Sequence, residues 1–264
     1  PAVGADKYFG VYMSPINAST NLVWEVRVAA SSNLLTWTYL STILTNADMP
    51  YVAPVEGSPG WLLMAHEQWM RGSSAPSQLG FKLYRGVTEL VAGNHSASFV
   101  APLTLGRAST LEGTPNIYGA TAGARDGVLL VDAVVGFHFN DEAHVDQVAF
   151  GKLGSFGGDG GSPPSWTVGD DAWEGYDAAF VRAGVIGNVG QRDAGVLGGQ
   201  MVVVQEGNTG SMPPTKWADW KVWLYTPAPR ESLPPTGNGT ITKLTPVTDG
   251  GSTAFGNPSF LVVP

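Results

Sequence analysis

Short apolar runs, rich in aromatic and β-branched residues, follow one another along this chain, with glycine, proline and polar residues between them. Four stretches share one pattern: a polar residue, usually a proline step, then an apolar run. They are Asp48-Met49-Pro50-Tyr51, Glu112-Gly113-Thr114-Pro115-Asn116-Ile117-Tyr118, Glu174-Gly175-Tyr176-Asp177-Ala178-Ala179-Phe180 and Asn257-Pro258-Ser259-Phe260. The first three continue into second apolar runs at 60–69, 128–139 and 199–206. The fourth stops at Pro264, and its second run is the N-terminal stretch 7–13. Runs of this length bounded by turn formers predict β-strands.

Each repeat then divides into four strands. One set is 259–263, 8–13, 23–30 and 37–43, and the next is 51–55, 61–66, 80–84 and 98–101. The third is 116–120, 128–135, 145–153 and 166–168, and the last is 178–185, 200–205, 220–225 and 240–245. Four-stranded repeats around an axis predict an all-β β-propeller over 1–264 as a single domain, with four blades by count and five as the alternative. The first blade takes its innermost strand from the C-terminus, so pairing of the two chain ends would close the ring and remove its open edges. The Gly-, Pro- and Ser-rich stretches 154–164 and 227–239 read as surface loops.

Composition narrows the picture. At 264 residues with 35 Gly and 19 Pro, the chain is long enough for a large core and punctuated as many short strands require. The net charge of −8, without a basic cluster, speaks against nucleic acid as a partner. No apolar run reaches the roughly 18 residues of a membrane helix, so no membrane partner is expected either. Cysteine is absent, which excludes disulfides and thiolate chemistry. The start at Pro1 predicts a removed leader, and Asn17-Ala18-Ser19, Asn94-His95-Ser96 and Asn238-Gly239-Thr240 are glycosylation sequons. Together they predict a secreted, extracellular protein, expected to be a monomer.

In up-and-down blades the start of the first strand and the end of the second lie on one face. The residues there are Asp48, Glu112, Glu174, Asp177 and Asn257 from strand starts. His66, Glu67, Trp69, His138 and Glu206 come from strand ends, and Trp173 flanks the same face. Carboxylates supply acid–base chemistry and hydrogen bonds to hydroxyls, and aromatic faces stack on sugar rings, so this set predicts a carbohydrate partner. Such residues also cap loops and bond backbone amides, a purely structural use. Asp48, Glu112, Glu174 and Asp177 are the catalytic candidates. His66, Glu67, Trp69, His138, Trp173, Glu206 and Asn257 are the substrate-binding ones. No cofactor is expected, although the central channel would admit a structural cation. A serine-hydrolase elbow is absent from the sequence.

The phrase Val26-Arg27-Val28-Ala29-Ala30-Ser31-Ser32-Asn33-Leu34-Leu35-Thr36-Trp37-Thr38 resembles the end of the third strand of the first blade in the furanosidase-type propellers of glycoside hydrolase family 43 and its relatives. Glu112-Gly113-Thr114-Pro115 looks like a variant of that family's "E-G-P" turn. The resemblance implies a five-bladed propeller cleaving arabinan, xylan or similar glycans with inversion, with Glu112 as general acid. The family's base is an Asp before Pro, where this chain has Asn257-Pro258. Asn cannot accept a proton from water, so Asp48, Glu174 or Asp177 would have to act instead. Two functions follow from these residues: a glycoside hydrolase, or a non-catalytic, lectin-like propeller that binds a glycan or protein on the same face.

Overall fold

The computed structural model describes residues 8–16, 23–69, 77–105, 112–125, 127–140, 146–157, 163–169, 174–185, 189–197, 200–210, 219–228 and 236–245. Among them the chain is all-β, with four antiparallel sheets and two short helices. The first sheet orders β1 (Tyr8–Pro15), β2 (Trp24–Ser31) and β3 (Thr38–Thr45). The second orders β4 (Ala47–Pro54), β5 (Trp61–Trp69), β6 (Ser77–Arg85) and β7 (Ala97–Val100). The third runs β8 (Glu112–Arg125), β9 (Val128–Asn140), β10 (Asp146–Phe156) and β11 (Ser165–Val168). The fourth runs β12 (Val189–Leu197), β13 (Gln200–Asn208), β14 (Trp220–Thr226) and β15 (Thr240–Lys243). Helix α1 is Gly86–Ala92 and α2 is Glu174–Arg182. Neither helix is long or apolar enough to cross a membrane.

Residue contacts group the chain into two compact units. The first comprises 1–104, 110–135 and 151–167; the second comprises 105–109, 136–150 and 168–264. In the first unit, alternation along β2 and β5 turns Val26, Val28 and Met64 inward, where they meet Ala47, Tyr84 and Leu90. Burying each large apolar side chain stabilises the unit by about 1.5–3 kcal/mol. Helix α1 covers this core with Leu90 and stops at Gly93, whose left-handed backbone (φ 70°) donates its N–H to the carbonyls of Glu89 and Leu90. Phe81, between Phe99 (6.3 Å) and Trp166 (5.4 Å), anchors a second cluster.

Strand β4 packs against β1 and β2 as well as β8. Just past β4, Glu56 forms a parallel bridge with Thr121: its N–H donates to Ala120 O, and Ala122 N–H donates to Glu56 O, both at 2.8 Å. The first strands of the second and third sheets therefore run in the same direction.

The second unit corrects one predicted strand. Residues 178–185 were read as the first strand of the last repeat, but Glu174–Arg182 forms helix α2. Tyr176, Ala179 and Phe180 fall at helical spacing and are buried, with the rings of Tyr176 and Phe180 4.7 Å apart and Tyr225 4.9 Å from Tyr176. The first strand of that sheet is β12 instead, whose Gly190-Gln191-Arg192-Asp193 centre propensity does not favour. Residues 154–156, read as loop, continue β10. The predicted C-terminal strand 259–263 lies outside the described residues.

Candidate functional site

In the first unit the start of β4 and the end of β5 bring two carboxyl groups face to face. Asp48 pairs directly with Glu67 in the antiparallel register, so both side chains leave the same face of the sheet. A register shift between Asp48 and Tyr51 marks a β-bulge at Met49-Pro50. It lets the strand continue past a residue with no N–H to give. Met49 takes a left-handed backbone (φ 44°), as does Thr114 (φ 50°), and each immediately precedes a proline. Left-handed backbone is costly for such residues and is held only where the surroundings enforce it.

Both carboxyls are buried. Like charges directly opposite on a sheet repel, and away from water the ionised forms are disfavoured further. Glu67 is accordingly pushed up to about 8, first by burial and then by the charge of Asp48; bonds from the Ser77 side chain and the Thr114 backbone act in the other direction. Asp48 rises to about 6 through burial, opposed by a hydrogen bond with Trp69. Burial and mutual repulsion raise both groups, so at neutral pH the pair retains a proton. Asp48 Oδ1 has no hydrogen-bond partner among the described residues. Trp69, whose indole serves Asp48, is 37% exposed and gives this spot a surface-facing aromatic ring.

Glu67 also reaches the start of β8. Its Oε2 accepts the Thr114 N–H at 3.2 Å, and its carboxyl lies so close to Gly113 that a side chain there would overlap it. Glu112, the preceding residue, is buried, and its Oε1 accepts from Thr104 N–H (2.8 Å) and Thr104 Oγ1 (3.4 Å). Asp48, Glu67, Trp69 and the Glu112-Gly113-Thr114 turn thus form one connected group. Ser77 and Thr104, which orient the carboxyls, were missed from the sequence, because single hydroxyl residues beside loops carry no distinctive signal.

His66 neighbours this group in sequence but leaves the other face of β5. Its ring packs on Gly80, where a side chain would run into it, and Nε2 lies 3.3 Å from Gln68 Oε1. Burial, reinforced by the charge of Lys82, lowers it to about 4, so it is neutral at pH 7.

Three predicted site residues whose side chains are described belong to the second unit. His138 is buried and bonds the backbone of Gly190; burial lowers it to about 4. Glu206 is buried too, with Oε2 so placed that a methyl group at Gly190 would come within 2.6 Å. Asp177 sits on helix α2, not at a strand start as expected, and its Oδ1 accepts from Nη2 of the buried Arg192 at 2.8 Å. Arg192 also lies 5.0 Å from the centre of the Tyr176 ring. The sequence reading passed over Arg192; a lone Arg-Asp step in an otherwise apolar neighbourhood was the available signal. Glu174 belongs to α2, but its side chain lies outside the described residues, as do Trp173 and Asn257. Among the described residues no group of three His, Asp or Glu side chains is gathered as a metal would require.

No family model, characterised protein or solved structure matches the chain.

Proposed function

We propose that the four sheets are the blades of a β-propeller and that the protein is a secreted glycoside hydrolase acting on a poly- or oligosaccharide. The propeller reading is supported by β4, which lies between β1 and β8, and by the parallel bridge at Glu56 and Thr121. First strands of consecutive blades run side by side in this way. The hydrolase reading is carried by one observation: the opposed Asp48–Glu67 pair, which holds a proton near neutral pH and keeps an unpaired carboxyl oxygen beside Trp69.

Side chains directly opposite on a sheet have Cβ atoms about 4.5–5.5 Å apart, too close for an inverting enzyme's pair to admit a water between them. Asp48 and Glu67 therefore act as one unit. Asp48 is the more acidic member and takes a proton from the attacking water, while Glu67 stays protonated beside it. Glu112, at the turn that resembles the family's acid position, protonates the leaving oxygen. Trp69 offers the sugar its ring face. Asp48 fills the role that Asn257 cannot.

Reducing-sugar release across plant, fungal and bacterial polysaccharides tests the proposal. Asp48→Asn and Glu112→Gln are each expected to lower turnover by about 10²–10⁴-fold, the usual scale for general acid–base catalysis. A substrate with a good leaving group should spare the bond-breaking step of Glu112→Gln. Unchanged turnover in either variant would remove that residue from the mechanism.

A second reading has an observation of its own. Glu67 and Glu112 each use a carboxyl oxygen to hold a backbone N–H, of Thr114 and Thr104, as structural residues do. A wild type that binds a glycan or a protein on this face yet releases no product would decide for a non-catalytic, lectin-like propeller.

A further inference from the structure

Thr114 breaks two backbone rules at once. Its left-handed conformation (φ 50°) is rare for a β-branched residue, and the Pro115 that follows favours an extended one. Such an outlier persists only where the surroundings fix it, and at functional sites the strain has a use. Thr114 is buried, as are Glu112 and Asn116 on either side, so its N–H needs a partner within the protein.

That partner comes from another sheet. Glu67, near the end of β5, accepts the Thr114 N–H on Oε2 at 3.2 Å, and its carboxyl fills the space that a side chain at Gly113 would need. Separately, Thr104 holds the Glu112 side chain, donating its N–H (2.8 Å) and Oγ1 (3.4 Å) to Oε1. The turn is therefore gripped twice, at the Glu112 carboxyl by Thr104 and at the backbone by Glu67. Losing the second grip leaves a buried N–H unpaired and frees Thr114 to relax towards the extended form. Gly113, which tolerates either backbone region, passes that rotation on to Glu112 instead of resisting it.

We infer that Glu67 is a positioning residue for Glu112, holding that carboxyl in place through the backbone of the Gly113-Thr114 turn. The inference rests on the hydrolase reading, in which Glu112 is the acid, and gives Glu67 a task apart from its pairing with Asp48. The two tasks ask for different side chains. Pairing with Asp48 needs a carboxyl, whereas the grip needs an oxygen at the full length of a Glu side chain. Glu67→Asp keeps the carboxyl and, one methylene shorter, loses the reach. Glu67→Gln loses the carboxyl and keeps the reach, because its amide oxygen can accept the Thr114 N–H.

Turnover by the full chain is measured on arabinan, xylan and mixed-linkage glucan, and on the matching nitrophenyl glycosides, whose good leaving group needs no protonation. In Glu67→Asp, kcat on the polysaccharide should fall about 10²-fold, the scale of a misplaced catalytic group, with KM within about threefold of wild type. The glycoside should lose roughly tenfold less, because only the acid is displaced. Glu67→Gln should keep about tenfold more polysaccharide turnover than Glu67→Asp, the reverse of what a need for the carboxyl alone would give. Hydrogen exchange at the Thr114 amide should be about 10²-fold faster in Glu67→Asp and close to wild type in Glu67→Gln. Equal losses on both substrates, unchanged Thr114 exchange in Glu67→Asp, or Glu67→Asp outperforming Glu67→Gln would overturn the role of Glu67 and leave the hydrolase standing. If Glu67→Asp does not fold, Glu67→Gln decides: a polysaccharide loss about tenfold beyond its glycoside loss overturns the grip. A wild type that hydrolyses none of these substrates overturns the hydrolase reading, and this role with it.

Discussion

The sheet of β4–β7 and the sheet of β12–β15 begin on the same local plan and diverge in chemistry. Each first strand bulges near its start, between Asp48 and Tyr51 in one and between Val189 and Arg192 in the other. Each second strand carries a buried Glu two residues before its end, preceded by His66 in one and Gln205 in the other. In the β4–β7 sheet the residue opposite the Glu is a second carboxyl, Asp48. In the β12–β15 sheet the bulge carries Gly190, and the neighbouring amide of Gln205 donates to Gly190 O and Glu206 O at 2.8 Å each. One sheet gathers groups that compete for a proton, while the other ties its strand start together with amide hydrogen bonds. The bulge is a device of architecture common to both; the carboxyl pair is specific to one, and that makes the β4–β7 sheet the place to look for chemistry.

The largest effect should come from the structural side of this comparison. Arg192 is buried and ion-paired with Asp177, so Arg192→Met removes one partner and leaves the other without its cation. Breaking a fully buried pair costs about 3–5 kcal/mol, and less where the remaining partner is partly exposed, as Asp177 is, whereas replacing both partners by apolar residues is often close to neutral. Urea unfolding should show that loss in Arg192→Met and recovery of much of it in Arg192→Met with Asp177→Leu. A single variant within about 1 kcal/mol of wild type would mean that the ion pair holds nothing together.

A smaller effect distinguishes the two contacts at strand starts. A methyl group at Gly113 overlaps the Glu67 carboxyl, and one at Gly190 meets Glu206 Oε2 at 2.6 Å. Gly113→Ala should cost about 1–3 kcal/mol, the usual range for overpacking, and Gly190→Ala less, because its overlap is shallower. Trimming the obstacle with Glu67→Ala should shrink the cost of Gly113→Ala in a double-mutant cycle. Additive losses would show that Glu67 is not what confines position 113.

Much of the fold was legible because turns punctuate it. All four strands of the second sheet, and the later strands of the others, were readable from apolar runs between Gly and Pro. Strand starts were not: β4 and β8 run back through Pro50 and Pro115, each after a left-handed residue, Met49 or Thr114, and β4 with a bulge as well. Helix α2 was mistaken for a strand because Ala178-Ala179-Phe180-Val181 is apolar under either period. The decisive spacing, Tyr176, Ala179 and Phe180, needed the partner Tyr225 to become visible. Strand β12 was missed because Arg192 and Asp193 look like surface residues until Asp177 is placed beside Arg192. Asp48, Glu67 and Glu112 could be nominated from position, but the direct pairing of Asp48 with Glu67 depends on a register that the bulge shifts.

Per pH unit the effects of pH are the smallest, and they have opposite signs on the two faces of β5. Glu67 holds its proton more tightly folded than unfolded, with its pKa raised from 4.5 to about 8. Its contribution to stability is therefore full below about 4.5 and is lost as pH rises towards 8. His66 is the reverse: its folded pKa is lowered from 6.5 to about 4, so its contribution is full above 6.5 and is lost as pH falls towards 4. Each slope is at most on the order of 1 kcal/mol per pH unit. Glu67→Gln should gain on the wild type steadily from pH 5 to 8. His66→Gln, which gives this sheet the residue that β13 has at Gln205, should gain on it from pH 6.5 down to 4.5. The second unit's His138, also lowered to about 4, keeps part of the acid loss in both proteins. Thermal unfolding across that range reads both differences. A difference from wild type that stays flat with pH in Glu67→Gln would show that the Asp48–Glu67 pair does not retain its proton, and the chemistry assigned to this sheet would lose its basis.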